Sequence, residues 1–227
     1  MEQINLDALE DILCCLMVDY DKNKDDIRSL IKQAAPDLNR DVWKRILYAD
    51  CMSGKPDAKN HRFSLFVMTY EASEILRSDD SFAYDAFMEA YRESSNIYKQ
   101  LQDTPFDIRG FLARMQAAVP VAAKLDDNSR ECYDSLAVNF KVYRGLSKAE
   151  KDEGNIGVSW TVDAAYAANY LRLKDNEVKG NVGYVAEMTI NKSDVIAVLY
   201  EYHSDICYYE VITLKNDGIV FREVKLK

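Results

Sequence analysis

Features that mark membrane-bound or secreted proteins are missing from this sequence. No stretch of its 227 residues comes near the roughly 18 consecutive apolar residues that a transmembrane helix needs. Residues 1–5 are acidic and lack the basic and then apolar order of a secretory signal peptide. We therefore expect a cytoplasmic protein with no membrane partner.

The residues that usually build metal sites are also scarce. His61 and His203 are the only histidines, and the five cysteines show no Cys-x-x-Cys spacing. Zinc sites are built from several such ligands at characteristic spacings, so we expect no metal centre. The odd number of cysteines favours reduced thiols that serve as small apolar side chains, at positions 14, 15, 51, 132 and 207.

Glycine and proline are few, with 8 and 4 residues, which argues against a disordered chain. Hydrophobic residues make up 48% of the sequence and charged residues 30%, so there are enough apolar side chains to build a buried core. A chain of 227 residues fits one large domain or two small ones.

The formal net charge of -9 is concentrated in the first part of the sequence. Residues 1–138 carry 17 basic and 25 acidic side chains, whereas residues 139–227 carry 12 and 13. An acidic surface repels a phosphate backbone, which disfavours a nucleic-acid partner without excluding one. A protein partner with a basic surface fits this charge better.

Apolar residues recur at helical spacing through residues 1–125 and predict an all-helical domain. Six helices are expected, marked in order by Leu6 to Met17, by Ile27 behind a cap at Asp25 or Asp26, by Trp43, by Phe63 to Ile75, by a long stretch from Phe82 to Tyr98, and by Ile108 behind Pro105.

The pattern changes near residue 125 to alternating and β-branched runs, which predict strands over much of residues 126–227. Tyr184, Ala186, Met188 and Ile190 lie on one face of such a run. An alanine-rich helix interrupts the strands, with Thr161 as its predicted N-cap. The expected fold class is therefore α+β, with a helical domain at 1–125 and a strand-rich domain at 126–227.

Three short strings in the second domain carry side chains suited to one chemistry: Val142-Tyr143-Arg144-Gly145, Gly157-Val158-Ser159-Trp160-Thr161 and Tyr208-Tyr209-Glu210-Val211-Ile212. The planar guanidinium of Arg144 can clamp a phosphate, and Gly145 lets the backbone turn and a ligand approach. Glu210 lies inside an apolar strand, either on a solvated face or buried for a purpose. Taken singly, each string has an ordinary structural explanation; taken together they favour a site.

In their order of arginine, serine and glutamate, the strings resemble the motifs of the mono-ADP-ribosyltransferase family, in the class related to cholera toxin. The resemblance covers roughly residues 139–225. It is nearest to small phage and bacterial effector transferases, one of which is an anti-CRISPR protein. It implies a mixed, mostly antiparallel β-sandwich that binds NAD as a substrate and transfers ADP-ribose to a target protein, with release of nicotinamide. The place of action would be the cytoplasm of an infected or targeted bacterial cell.

The same resemblance implies roles for individual residues. Arg144 would hold the NAD phosphates, Ser159 would orient Arg144 or Glu210, and Glu210 would stabilise the oxocarbenium ion as nicotinamide leaves. The implied NAD-binding set also includes Tyr143, Gly145, Trp160, Thr161 and Tyr166.

One position departs from the family pattern. Many members carry Glu or Gln two residues before the catalytic glutamate, where this chain has Tyr208, so arginine is not fixed as the acceptor. His203 and Asp205 come just before that strand and are candidate acceptor-side residues, although His203 is also explained as a plain loop residue. Three alternatives stay open: a catalytically degenerate scaffold that acts as a protein-binding inhibitor or adaptor, an NAD glycohydrolase, and a transferase that modifies nucleic acid.

Overall fold

The structure, a computed structural model, describes residues 5–49, 61–94, 97–101, 104–119, 121, 125–154, 156–173, 182–203 and 206–225. Within these ranges, the side chains of residues 98, 99, 172, 173 and 201–208 lie outside the description. The chain divides into two compact units, Met1–Asp107 and Ile108–Lys227. None of the described helices is long and apolar enough to cross a bilayer.

The first unit is helical, as the spacing of its apolar residues predicts. Its first helix starts behind Asn5, whose side chain accepts hydrogen bonds from the amides of Asp7 and Ala8, and Asn39 caps a later helix in the same way. The helices are α1 Leu6–Met17, α2 Tyr20–Ala34, α3 Arg40–Tyr48, α4 Arg62–Ala72, α5 Glu74–Ser78, α6 Asp80–Arg92 and α7 Ile97–Leu101, with a 3-10 turn at Ala35–Asp37.

Two predicted helices of this unit have different bounds in the structure. α2 starts at Tyr20, so Asp25 and Asp26 lie exposed inside the helix instead of capping it. The helix expected to run on to Tyr98 ends at Arg92. In both cases the apolar spacing is continuous and does not report the residue at which a helix begins or ends.

Two further helix boundaries differ from the prediction. The helix expected over residues 63–75 is interrupted at Ser73, whose hydroxyl accepts a hydrogen bond from the amide of Leu76 and so starts α5. The helix expected behind Pro105 begins only at Ile108.

Aromatic side chains form much of the core of the first unit. Phe63 and Phe66 of α4 both meet Phe87 of α6 edge to face, with ring centroids 5.6 Å apart in each pair. Trp43 of α3 is buried, and its indole nitrogen donates a 2.8 Å hydrogen bond to the carboxylate of Glu89. This unit therefore has an apolar core of its own.

The second unit combines helices with a six-stranded sheet, which confirms the α+β class. Its helices are α8 Ile108–Ala118, α9 Asp127–Ser135, α10 Lys148–Glu153 and α11 Ala164–Leu173. Its strands are β1 Asn139–Ser147, β2 Ser159–Thr161, β3 Val182–Asn191, β4 Val195–His203, β5 Ile206–Thr213 and β6 Val220–Lys225, with a 3-10 turn at Lys192–Asp194.

The division between the units lies at Asp107 and Ile108, ahead of the boundary predicted near residue 125. The difference arises because α8 belongs to the sheet-containing unit. Arg109 of α8 donates hydrogen bonds to the backbone carbonyl oxygens of Ile156 and Leu214, which flank β2 and β5. Helical periodicity identifies α8 as a helix but does not show which unit it packs with.

The strand order is β4-β5-β2-β1-β3-β6, and every neighbouring pair is antiparallel. The described strands thus form one antiparallel sheet, which corrects the expected mixed sandwich. The centre of this sheet is weakly paired: β1 pairs with β3 along its whole length but with β2 only at Tyr143 and Thr161. The sheet therefore consists of two three-stranded blocks joined at a single residue pair.

Alternate residues of β1 pack on opposite faces of the sheet. Val142 joins a buried cluster with Met188 of β3 and Cys132 of α9. Tyr143, the next residue, packs against Ala167 of α11 in a separate cluster. One face of the sheet therefore carries α9, and the other carries α11.

The buried thiol of Cys132 behaves as the sequence predicts for a small apolar residue. Burial raises its pKa to about 11, so the thiol stays protonated at neutral pH. Cys51 and the side chain of Cys207 lie outside the described residues.

The start of α11 is fixed by Asp163 and not by the predicted cap, Thr161. The Asp163 carboxylate accepts hydrogen bonds from the amides of Ala165 at 2.7 Å and Tyr166 at 3.1 Å. The Thr161 hydroxyl accepts one from the amide of Asp163 at 3.1 Å. Thr161 thus shapes the turn into the helix, and Asp163 caps it.

Gly145 lets α11 lie directly against β1. A Cβ atom at this position would overlap the backbone carbonyl oxygen of Ala167 and would lie 3.0 Å from Cγ of Leu171. Because β1 continues to Ser147, the glycine does not turn the chain as predicted. Its missing side chain makes room for the helix.

We expect Gly145→Ala to destabilise the second unit by about 1–3 kcal/mol, the usual cost of overfilling a packed site. Strand and helix must separate to admit the methyl group, and thermal and denaturant unfolding measure the loss. Gly154→Asn is the control, since Gly154 has a φ of 67° that asparagine tolerates and a Cβ there meets no atom within 4 Å. A Gly145→Ala protein as stable as the wild type would contradict the close packing.

Candidate functional site

Three neighbouring strands bring the three strings of the sequence together. Tyr143 of β1 is the Cα partner of Thr161 of β2, and Thr161 is the partner of Glu210 of β5. Neighbouring strands lie about 4.8 Å apart, so this row spans about 10 Å from Tyr143 to Glu210. Arg144 directly follows Tyr143, and Ser159 lies two residues before Thr161 on β2.

Arg144 reaches across the weakly paired centre of the sheet. By alternation its Cβ lies on the same face of β1 as Val142 and Leu146, which are buried, and on the face opposite to that of Tyr143. Its guanidinium extends sideways, and Nη1 donates a 2.8 Å hydrogen bond to the backbone carbonyl oxygen of Ser159. The side chain is 21% exposed, so the guanidinium is anchored and still open to solvent.

The contact between Arg144 and Ser159 has a different chemistry from the one expected. The resemblance implies that Ser159 orients the arginine, and the contact that holds Arg144 is made by the serine's backbone carbonyl oxygen. The carbonyl of Val158 is already used, since it accepts a hydrogen bond from the amide of Thr213 on β5. Successive carbonyls point to opposite edges of a strand, so that of Ser159 faces β1.

The guanidinium of Arg144 rests against Gly157. A Cβ atom there would lie 2.9 Å from Nη2 and 3.0 Å from Cζ of Arg144, so a side chain at this position would displace the guanidinium. The segment is held by Arg109, whose Nη2 donates to the Ile156 carbonyl at 2.8 Å and whose Nη1 donates to the Leu214 carbonyl at 3.2 Å. Arg109 thus fixes the support on which Arg144 lies.

An acidic side chain also approaches Arg144. Oε1 of Glu150 lies 3.5 Å from Nη2 of the arginine. Glu150 belongs to the capping box that starts α10: its Oε2 accepts from the amide of Ser147 at 2.8 Å, and the Ser147 hydroxyl accepts from the amide of Glu150 at 3.2 Å.

Sequence reasoning missed both Glu150 and Arg109. The spacing Ser147-x-x-Glu150 is a capping-box signal and could have identified the first. Arg109 leaves no local signal, because the carbonyl groups it binds lie 47 and 105 residues away in the chain.

Glu210 does not lie on an ordinary solvated strand face. Its cross-strand neighbours Thr161 and Leu199 are 6% and 1% exposed, and Ile212, two residues further along β5, is fully buried. Glu210 itself is half-buried. Because buried carboxylates cost free energy unless they are paired or used, this position favours the second of the two interpretations that the sequence left open.

The aromatic members of the predicted NAD-binding set mostly pack the protein. Trp160 is 2% exposed and lies in the buried cluster with Val211, so it fills the core and does not line an open cleft. Tyr143 is half-buried beneath α11. Tyr166 is half-buried on α11, with its ring centroid 6.5 Å from that of Tyr170. Of these aromatic residues, Trp160 is the one that lies fully in the core, and its contact with NAD stays a prediction.

The acceptor-side candidates are described only in part. Asp205 lies outside the described residues. His203 is the last residue of β4, paired with Ile206, so it belongs to a strand and not to the expected loop. Tyr208 pairs with Glu201 in the same ladder, and the side chains of His203 and Tyr208 lie outside the described set.

The chain matches no family model, no curated protein and no solved structure. Function is therefore inferred from the geometry of the second unit and from the order of its motifs.

Replacing Arg109 with alanine leaves the carbonyl groups of Ile156 and Leu214 without this donor. We expect the free energy of unfolding to fall by about 1–3 kcal/mol, as measured in urea. The free energy of unfolding of Arg109→Lys should lie between those of the wild type and Arg109→Ala, because a single ammonium group replaces a guanidinium that binds two carbonyls. Arg222→Ala on the exposed side of β6 is the control, and equal stability of the two alanine variants would show that Arg109 does not hold this segment.

Proposed function

We propose that the second unit is a mono-ADP-ribosyltransferase that uses NAD to modify a side chain of a target protein. The observation that carries this proposal is the half-buried Glu210, which lies in one row of the sheet with Tyr143 and Thr161. Arg144 starts from the opposite face of β1 and brings its guanidinium to the carbonyl of Ser159, at the weakly paired junction of β1 and β2. Arginine, serine and glutamate are far apart in the sequence and lie on three adjacent strands, in the order that the family motif requires.

Arg144 suits the binding of a substrate phosphate. Its Nη2 has the Glu150 carboxylate at the long distance of 3.5 Å, and its buried Nε has no hydrogen-bond partner among the described residues. Guanidinium groups bind phosphate oxygens at about 2.7–2.9 Å, so a pyrophosphate is the stronger partner for Nη2. The carbonyl of Ser159 holds the fork in place for this contact.

Glu210 supplies negative charge close to where the reaction develops positive charge. In the proposed reaction the bond between ribose C1 and the nicotinamide nitrogen breaks, and nicotinamide leaves with the bonding electrons. A nucleophilic atom of the target then bonds to C1 and releases its proton. The ribose passes through a cation of the kind that carboxylates stabilise in glycoside hydrolysis, and Glu210 has the same role here.

Glu210→Gln keeps the size of the side chain and removes its charge, so we expect target modification to slow by about a hundredfold or more. Arg144→Lys should chiefly raise the KM for NAD, because an ammonium cannot form the paired hydrogen bonds of the fork. The measurement is label incorporation from labelled NAD into a bacterial lysate by the purified full chain. Glu223→Gln and Arg222→Lys, at two exposed positions of β6, are matched controls.

The same assay separates the alternatives. Unchanged modification by Glu210→Gln would refute the assignment of the carboxylate. Nicotinamide release in the absence of any macromolecule would identify a glycohydrolase, and label in the nucleic-acid fraction would identify a nucleic-acid transferase. A chain that neither labels the lysate nor shifts its melting temperature with NAD would be a binding scaffold.

The acidic first unit is proposed to dock on a basic surface of the target. Asp25 and Asp26 are exposed on α2, whereas Asp79 caps α6 by accepting a 2.9 Å hydrogen bond from the amide of Phe82. Charge reversal at Asp25 and Asp26 therefore tests docking without removing a cap.

With both Asp25 and Asp26 changed to lysine, we expect target modification to slow a few-fold while the melting temperature stays unchanged, since surface charges act mainly on the association rate. Asp79→Lys should instead lower stability by about 1 kcal/mol through loss of the cap. If the double variant modified its target at the wild-type rate, α2 would not belong to the docking surface.

A further inference from the structure

Glu150 is the one charged partner that the structure gives Arg144 within the described residues, and the proposed function does not use it. The two side chains are 32% and 21% exposed, and Oε1 lies 3.5 Å from Nη2. Charge-assisted hydrogen bonds between such groups normally measure about 2.7–2.9 Å. The carboxylate is therefore near enough to offset the charge of the arginine and too far to bind it firmly.

The capping box fixes the position of Glu150. Its Oε2 accepts a 2.8 Å hydrogen bond from the amide of Ser147, which is shorter than the distance from Oε1 to Arg144. The Ser147 hydroxyl in turn accepts a hydrogen bond from the amide of Glu150. The start of α10 thus holds a negative charge beside Arg144, whether or not the arginine is engaged elsewhere.

The other supports of Arg144 are neutral. Its Nη1 binds the backbone carbonyl of Ser159, and its guanidinium rests on the backbone of Gly157. Neither support competes with an incoming anion for charge. Among the described residues, the acidic group within ion-pair distance of the arginine is the carboxylate of Glu150, so a phosphate that approaches Nη2 meets this opposing charge.

We infer that Glu150 is a built-in counter-ion that weakens the binding of phosphate-bearing ligands to Arg144. It neutralises the guanidinium while no ligand is bound, and it repels the phosphate that replaces it. Every anion meets this penalty, so a ligand that also contacts other groups, such as a dinucleotide, still binds, whereas a phosphate alone binds weakly. The inference rests on the proposed function only in naming NAD as the ligand.

Glu150→Gln isolates the charge from the structure. Glutamine serves in a capping box as glutamate does, so its carbonyl oxygen still accepts from the amide of Ser147. Asp194→Asn is the matched control: Asp194 closes a second capping box, with Asn191, and lies 3.8 Å from the ammonium of Lys215. Glu150→Ala removes both the charge and the cap. The difference between its melting temperature and that of Glu150→Gln therefore reports the cap.

The test is calorimetric titration of the full chain and its variants with inorganic pyrophosphate and with NAD. We expect Glu150→Gln to bind both about fivefold more tightly than the wild type, the upper range for a partly exposed ion pair. The gain should shrink as salt is raised, because screening weakens a charge effect and not a packing effect. Asp194→Asn should bind both ligands as the wild type does.

Equal or weaker pyrophosphate binding by Glu150→Gln would overturn the counter-ion role, and weaker binding would mean that Glu150 positions the arginine. If NAD bound the wild type and Glu150→Gln equally, this inference would fail while the proposed function stood. If pyrophosphate showed the gain but NAD bound neither protein, the counter-ion would stand and the proposed function would fail. Absence of binding by either ligand would refute both.

Discussion

The second unit depends on how β1 and β2 are joined. The backbone supplies one residue pair, Tyr143 with Thr161, and a side chain supplies the next link, from Arg144 to the carbonyl of Ser159. Backbone carbonyl groups need a donor, and Ser159 lies beyond the one residue pair that β1 and β2 share, so Arg144 supplies it. A hydrogen bond from a charged donor contributes about 1.5–3 kcal/mol. The bond from Arg144 therefore adds to the single residue pair that joins the two three-stranded blocks of the sheet. Any role of Arg144 towards a ligand builds on this structural one.

The junction is possible only because side chains are missing on both sides of it. Gly145 admits the backbone of α11 at Ala167, and Gly157 admits the guanidinium of Arg144. Both glycines belong to the strings that the sequence singled out, and the sequence predicted that Gly145 lets the backbone turn and a ligand approach. The structure gives both a packing role. A motif can thus be needed for the shape of a site without any of its glycines touching a ligand.

The sequence predicts the elements that repeat locally and fails where the partner is distant. Alternation identified β3 with its buried face, and the alanine-rich stretch identified α11. The sequence could not assign α8 to the sheet-containing unit, because the carbonyl groups that Arg109 binds lie far along the chain. The resemblance placed Trp160 in the binding set, and the structure places it in the core, because alternate strand residues face opposite sides. The sequence also predicted Thr161 as the N-cap of α11, where the structure has Asp163, because threonine and aspartate both favour the N-cap position.

Arg144 and Glu210 differ in what their loss would mean. The arginine joins two strands and carries the proposed phosphate contact, so its removal changes the sheet and the site together. Glu210 lies inside β5, whose ladders to β2 and β4 are formed by backbone groups. Glu210→Gln keeps the shape of the side chain, and the backbone ladders of β5 do not depend on its charge. A loss of activity in a protein that is no less stable would therefore separate chemistry from folding at Glu210, which no substitution of Arg144 can do.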